Sequence, residues 1–195
     1  MHEWSGAEAT AKPAQPRLAR AAPESHNRSR PADLVVRGAH SLMTPEANLA
    51  RLGLVLPPAP RPVAVYRPLV VAQGLAYVSG HGPVQTDGSL IRGRVGIDLD
   101  LAQGRNAARQ CGLAILATLR AELGSLARVA RLVKVLGMVN SGPAFLDHPQ
   151  VINGCSELFA EVFGPEDGIG ARSAVGMGPL PGNIAVEVEA IFELR

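Results

Sequence analysis

The sequence predicts an α+β fold: a mostly antiparallel or mixed β-sheet with two helices packed on one face. Three observations predict it. The final stretch alternates strictly, with Val186, Val188, Ala190 and Phe192 on one side and Glu187, Glu189 and Glu193 on the other, as a half-buried strand requires. Residues 107–123 and 151–163 carry apolar side chains at helical spacing. The β-rich runs around them give the order β-β-(β)-α-β-α-β-β. One face of such a sheet lacks helices, and an oligomer would supply the missing cover.

Residues 1–42 hold Pro13, Pro16, Pro23 and Pro31 amid Ala, Ser and Arg, with only Leu34-Val35-Val36 able to join a core. That composition does not offset the entropy of ordering, so a disordered N-terminal tail or start-site extension is expected ahead of a domain over 43–195. Met43-Thr44-Pro45-Glu46 reads as a helix opening, with Thr44 as cap and Pro45 in the first turn. The proline-rich stretch 57–62 cannot be helical. After it, Val63-Ala64-Val65-Tyr66 and Leu69-Val70-Val71-Ala72 predict a strand. It turns at Gln73-Gly74 into Leu75-Ala76-Tyr77-Val78-Ser79 as a hairpin, ended by Gly80, Gly82 and Pro83.

Residues 89–95 are compatible with an edge strand. Asp98 or Asp100 then caps the first long helix, whose Ala108, Cys111, Ile115 and Leu119 share a face and which stops at Gly124. Residues 129–139 are apolar at most positions, interrupted by Arg131 and Lys134, and suit a central strand. A second helix begins near Asp147 and Pro149 and ends at Gly164-Pro165.

With 195 residues, 47% of them hydrophobic, the chain can bury one core. The net charge of +2 belongs partly to the basic residues near the front, and aromatic residues make up only 4%. Without a basic stripe or a ribonuclease-like histidine pair, nucleic acid is not the expected partner. No run of eighteen apolar residues occurs; the nearest, 107–123, is interrupted by Arg109, Gln110, Arg120 and Glu122, so no membrane span is expected. The N-terminus lacks the apolar core of a secretory signal. The two cysteines, Cys111 and Cys155, lack the spacing of a zinc site or disulfide framework, which predicts reduced thiols in a cytoplasmic protein.

A series of segments then stands out in order: Tyr66, Val78-Ser79-Gly80, Val151-Ile152-Asn153-Gly154, Gly170-Ala171-Arg172-Ser173, Leu180-Pro181 and Val186-Glu187-Val188-Glu189-Ala190-Ile191. Across Leu49 to Arg195 the chain resembles the Rid family, the YjgF-type reactive intermediate deaminases also labelled endoribonuclease L-PSP. The resemblance implies a chorismate-mutase-like sheet forming a trimeric barrel, with a site in each cleft between subunits and no metal or organic cofactor. It also implies hydrolysis of reactive enamines and imines, such as 2-aminoacrylate, to a 2-oxo acid and ammonia.

The residues suit that chemistry. A 2-imino acid carries a planar carboxylate beside an electrophilic carbon, and Arg172 offers a matching fork of NH donors. Glu187 stands where the family pattern places a carboxylate able to orient or deprotonate water. Tyr66 is expected to close the cleft or bond the substrate nitrogen, and Asn153 to hold loop or ligand geometry. Ser79, Gly80 and Ala174 complete the expected substrate-binding set. Ala174 replaces a cysteine found in many relatives and keeps only the backbone donor, while His81 replaces a more usual glutamine and is expected at the surface. With the extra segment 140–150 and the long lead-in 52–58, these departures mark a divergent subgroup. Two other readings stand beside the deaminase: a non-catalytic trimer that binds small carboxylate metabolites and, with less support, an endoribonuclease.

Overall fold

Thr44 Oγ1 accepts the amide of Ala47 and Pro45 fills the first turn, so helix α1 (Pro45–Arg51) starts where the sequence predicts. The structure, a computed structural model, describes residues 43–195, and the expectation for 1–42 lies outside the described residues. Helix α1 acts as a clasp. Glu46 Oε1 accepts from Ser125 Oγ and the Leu126 amide, both at 2.7 Å, while Asn48 Nδ2 donates to the Val162 carbonyl at 3.0 Å.

Strands β1 (Leu69–Ala72) and β2 (Leu75–His81) form the expected hairpin. Its two-residue turn places Gln73 at φ 50° and Gly74 at φ 77°, the paired positive angles that match strand twist. Residues 63–66 do not join the strand, contrary to expectation. Pro62 and Pro68 flank them, neither can donate to a ladder, and Val63 and Val65 stand exposed. Residues 89–95 likewise form only isolated bridges, Leu90 to Val84, Arg92 to Ile184, and Val95 to Leu99 and Ser141, because Gly93 at φ 114° breaks the extended run.

Helix α2 (Leu101–Leu123) is capped by Asp100 rather than Asp98. Asp100 Oδ1 accepts the Gln103 amide and Gln103 Oε1 accepts the Asp100 amide, a reciprocal capping box, and Gly124 ends the helix at φ 81°. Strand β3 (Val129–Asn140), helix α3 (His148–Phe163), strand β4 (Ala171–Met177) and strand β5 (Val186–Leu194) follow. The sheet order is β1-β2-β5-β3-β4, antiparallel except for the β3/β4 pair. The sheet is therefore mixed. Strand β5 holds its centre and β3 lies beside it, paired on both edges.

Helices α2 and α3 pack on each other and on one face of the sheet, where Ile115, Leu119, Leu158, Phe159 and Phe192 are fully buried. The Phe159 and Phe192 rings meet edge to face at 5.5 Å. Ion pairs Arg105–Glu157 and Arg109–Glu161 bridge the exposed seam between the helices. The opposite sheet face presents Tyr77, Leu136, Met138 and Ile191 with Lys134, Glu187 and Glu189, and no helix of the described residues covers it. Among the described residues, no helix is long and apolar enough to cross a membrane.

Candidate active site

The alternation of β5 turns Glu187 and Glu189 onto the face without helices. Strand β2 meets them through a bulge: Val78 pairs with Ala190 and His81 with Val188, so β2 takes three steps while β5 takes two. The extra residue falls at Ser79-Gly80. There the Glu187 carboxylate occupies the volume that a Cβ on Gly80 would fill, so a side chain at position 80 would displace that carboxylate from its place. Ser79 Oγ donates to the Arg67 carbonyl at 2.7 Å and anchors the lead-in that carries Tyr66. Tyr66, Ser79, Gly80 and Glu187 thus line one cleft of about 400 Å³. Burial and then the neighbouring Glu189 push the Glu187 carboxyl above its ordinary value.

The bulge also explains His81, which is buried rather than at the surface. One extra residue inverts the side-chain alternation and turns His81 towards α2. Its Nδ1 lies 2.6 Å from the Ser79 carbonyl, which can only accept, and its Nε2 lies 2.7 Å from Thr118 Oγ1. The ring is therefore the neutral Nδ1–H tautomer, with Thr118 donating to Nε2. Burial lowers its pKa, outweighing the Ser79 bond that raises it. The unfolded chain binds this proton more readily, so the stability His81 contributes is present above its ordinary value of 6.5 and is lost as pH falls below it. In His81→Gln, whose amide can make both bonds without titrating, thermal melts are expected to lose less stability between pH 7.5 and pH 5.5 than in wild type.

Arg172 lies on β4 opposite Val135, and Val135 faces the helices. Its side chain accordingly turns to α3, where Nη1 donates to Asn153 Oδ1 at 2.8 Å and to Ser156 Oγ at 3.1 Å. Those bonds use both Nη1 hydrogens and leave Nε and Nη2 as a fork. No carboxylate of the described residues pairs with Arg172. Ser156 was not singled out from the sequence, although its place three residues after Asn153 on one helix face was the available signal. Ala174 follows on the same side of β4, opposite Gly137. Behind the arginine, burial raises the Cys155 thiol well above its ordinary range, so it is an inert core group.

The expected site residues therefore fall into two groups. Tyr66, Ser79, Gly80 and Glu187 gather on the sheet face without helices, and Arg172, Asn153 and Ala174 gather on the helix side of the β4 edge. Within one chain the sheet stands between them. No cluster of three or more His, Cys, Asp or Glu among the described residues is placed to hold a metal ion.

The family described as "YjgF/chorismate mutase-like, putative endoribonuclease" matches residues 46–189. Protein TCP17 of Trypanosoma cruzi is 43% identical over 149 residues, covering 76% of this chain and 93% of the relative. The crystal structure of Atu1372, a protein of unknown function from Agrobacterium tumefaciens, is 41% identical with a TM-score of 0.70, over 77% of this chain and 92% of its own. A "putative endoribonuclease" from Shewanella oneidensis superposes with a TM-score of 0.75 at 29% identity, over 78% of this chain and all of its own. Solved structures named RidA and Rid, from Psychrobacter and Yersinia pestis, share the fold.

Proposed function

The chain belongs to the YjgF/chorismate mutase-like family, and from that premise we propose that it hydrolyses small 2-imino acids to 2-oxo acids and ammonia in a cleft shared by two copies of the chain. The observation that carries the proposal is the guanidinium of Arg172, braced by Asn153 and Ser156 with one edge left open. A fork fixed in this way suits the planar carboxylate of a 2-imino acid and loses little entropy on binding it.

The carboxylate of the substrate docks on Arg172 and its C=N carbon lies over Ala174. Glu187 of an adjoining copy faces that carbon and takes a proton from the attacking water. A carboxyl raised by burial and by Glu189 is a stronger base than an exposed glutamate, which suits it to that step near neutral pH. Tyr66, Ser79 and Gly80 come with Glu187 and form the other wall. Hydrolysis needs no thiol in this arrangement, so Ala174 leaves the proposed chemistry intact.

Joined head to tail, an Arg172 edge and a Glu187 face make a heterologous contact, which forms a ring where the rotation closes. A homotrimer would complete three clefts and cover Tyr77, Leu136, Met138 and Ile191 on the open face. The free, buried Cys111 and Cys155 are in keeping with a reducing, cytoplasmic setting.

The experiment is to generate a 2-imino acid in situ and follow ammonia and 2-oxo acid release with and without the protein. Acceleration supports the enzyme. Thermal stabilisation by 2-oxo acids with no acceleration supports instead a non-catalytic carboxylate binder.

A further inference from the structure

The segment 140–150 carries a serine–histidine pair that hydrolysis by Arg172 and Glu187 does not use. Ser141 follows the last residue of β3, and His148 is the first residue of α3. Ser141 Oγ lies 3.0 Å from His148 Nε2, and the Phe145 ring meets the imidazole edge-on at 5.4 Å. The imidazole rests against β4 at Gly176, where a Cβ would lie 2.5 Å from Nε2, so the glycine is what admits the ring. The other nitrogen, Nδ1, makes no hydrogen bond among the described residues. Such a ring is oriented by a hydroxyl and still has a nitrogen available for proton exchange.

Its position relates it to Arg172. Positions 172, 174 and 176 share one side of β4, with Gly176 bare of a side chain. At a rise of about 3.3 Å per residue, Ala174 and Gly176 lie about 6.6 Å apart, and Arg172 and Gly176 about 13 Å apart. The three positions form a shallow row: a cation at one end, small residues along the floor, and the Ser141–His148 pair at the other end. A substrate whose carboxylate sits on Arg172 extends over Ala174 towards the imidazole. At position 174 this chain has no titratable group, and His148 is the group that the fold brings alongside.

We propose that His148, oriented by Ser141, is an acid–base catalyst of the Arg172 half-site and exchanges a proton with the substrate nitrogen and oxygen during imine hydrolysis. In the addition step the water oxygen bonds to the imine carbon, the water gives a proton to Glu187, and the imine nitrogen takes a proton from the His148 imidazolium. The product is a carbinolamine. In the elimination step the C–N bond breaks with its electron pair passing to nitrogen, which leaves as ammonia with the proton held by Glu187. The carbinolamine hydroxyl returns a proton to His148, the C=O bond forms, and both groups regain their starting states. Water is consumed and no other reactant is needed. Ser141 is a positioning residue.

This inference rests on the imine-hydrolase reading, so wild type is assayed first; if it does not accelerate imine hydrolysis, both ideas fall. With active wild type, His148→Gly in the full-length chain is expected to lower kcat about 10²-fold or more with KM within about twofold, and added imidazole to restore a large part of kcat. His148→Gln keeps a bond to Ser141 and fills the space but cannot titrate, and is expected to be as slow as the glycine variant. Ser141→Ala is expected to lower kcat by a smaller factor. Full activity in either His148 variant overturns the inference while leaving the imine-hydrolase reading in place. So does a loss in His148→Gly that appears as raised KM and is not rescued by imidazole.

Discussion

Arg172→Ala is expected to lower kcat/KM for 2-imino acid hydrolysis by about 10²–10³-fold, equivalent to roughly 3–4 kcal/mol of transition-state stabilisation, while leaving the melting temperature within a few degrees of wild type. The size follows from losing two parallel charge-assisted hydrogen bonds to a carboxylate. The tolerance of the fold follows from exposure: the Arg172 side chain is solvent-accessible, and water can replace it at Asn153 and Ser156. Arg172→Lys is expected to recover little, because an ammonium is a point charge without the fork and cannot hold Asn153, Ser156 and a planar carboxylate together. Steady-state kinetics on the folded variants check this.

Glu187→Gln is expected to reduce kcat by about 10²–10⁴-fold, the usual worth of a positioned base, and to leave the protein as stable as wild type or more so. The two effects have one cause. Half-burial and the like charge of Glu189 raise the folded pKa of Glu187 above its unfolded value. A carboxyl shifted in that direction contributes stability below its ordinary value of 4.5 and loses that contribution as pH rises through the folded pKa. Glutamine is neutral throughout and escapes the loss. The melting temperature of Glu187→Gln relative to wild type is therefore expected to be higher at pH 8 than at pH 4. A variant both inactive and markedly less stable at pH 8 would mean that Glu187 serves the fold.

Much of the fold was legible because local and global preferences agree. Asp100 with Gln103, Gly124, the Gln73-Gly74 turn and the alternation of β5 each specify a cap, turn or face from a few neighbouring residues. What was not legible depends on distant partners. Residues 63–66 have β-type side chains but lie between two prolines and have no ladder to join. His81 looked like a surface residue because a bulge of one residue cannot be read from alternation, and that bulge decides which face it takes.

The candidate site divides in the same way. Arg172, Glu187, Tyr66, Ser79, Gly80, Asn153 and Ala174 could be picked out along the chain, but their separation onto two sides of one sheet could not. It depends on register: Val135 opposite Arg172 faces the helices, while Met138 opposite Glu187 lies three residues on and faces away. Ser156 and the Ser141–His148 pair were missed because hydroxyls and single histidines carry no pattern until packing brings them beside a functional group.

The central claim, that Arg172 of one copy and Glu187 of another make one site, is tested most directly by mixing the two inactive variants. Arg172→Ala and Glu187→Gln chains are co-expressed in equal amounts, purified together without separating the oligomers by composition, and assayed for imine hydrolysis. In a closed ring with random mixing, about one site in four receives an intact Arg172 and an intact Glu187. Recovery of roughly a quarter of wild-type activity is the expected result. Activity in the mixture no greater than the sum of the two variants assayed alone would contradict the shared cleft.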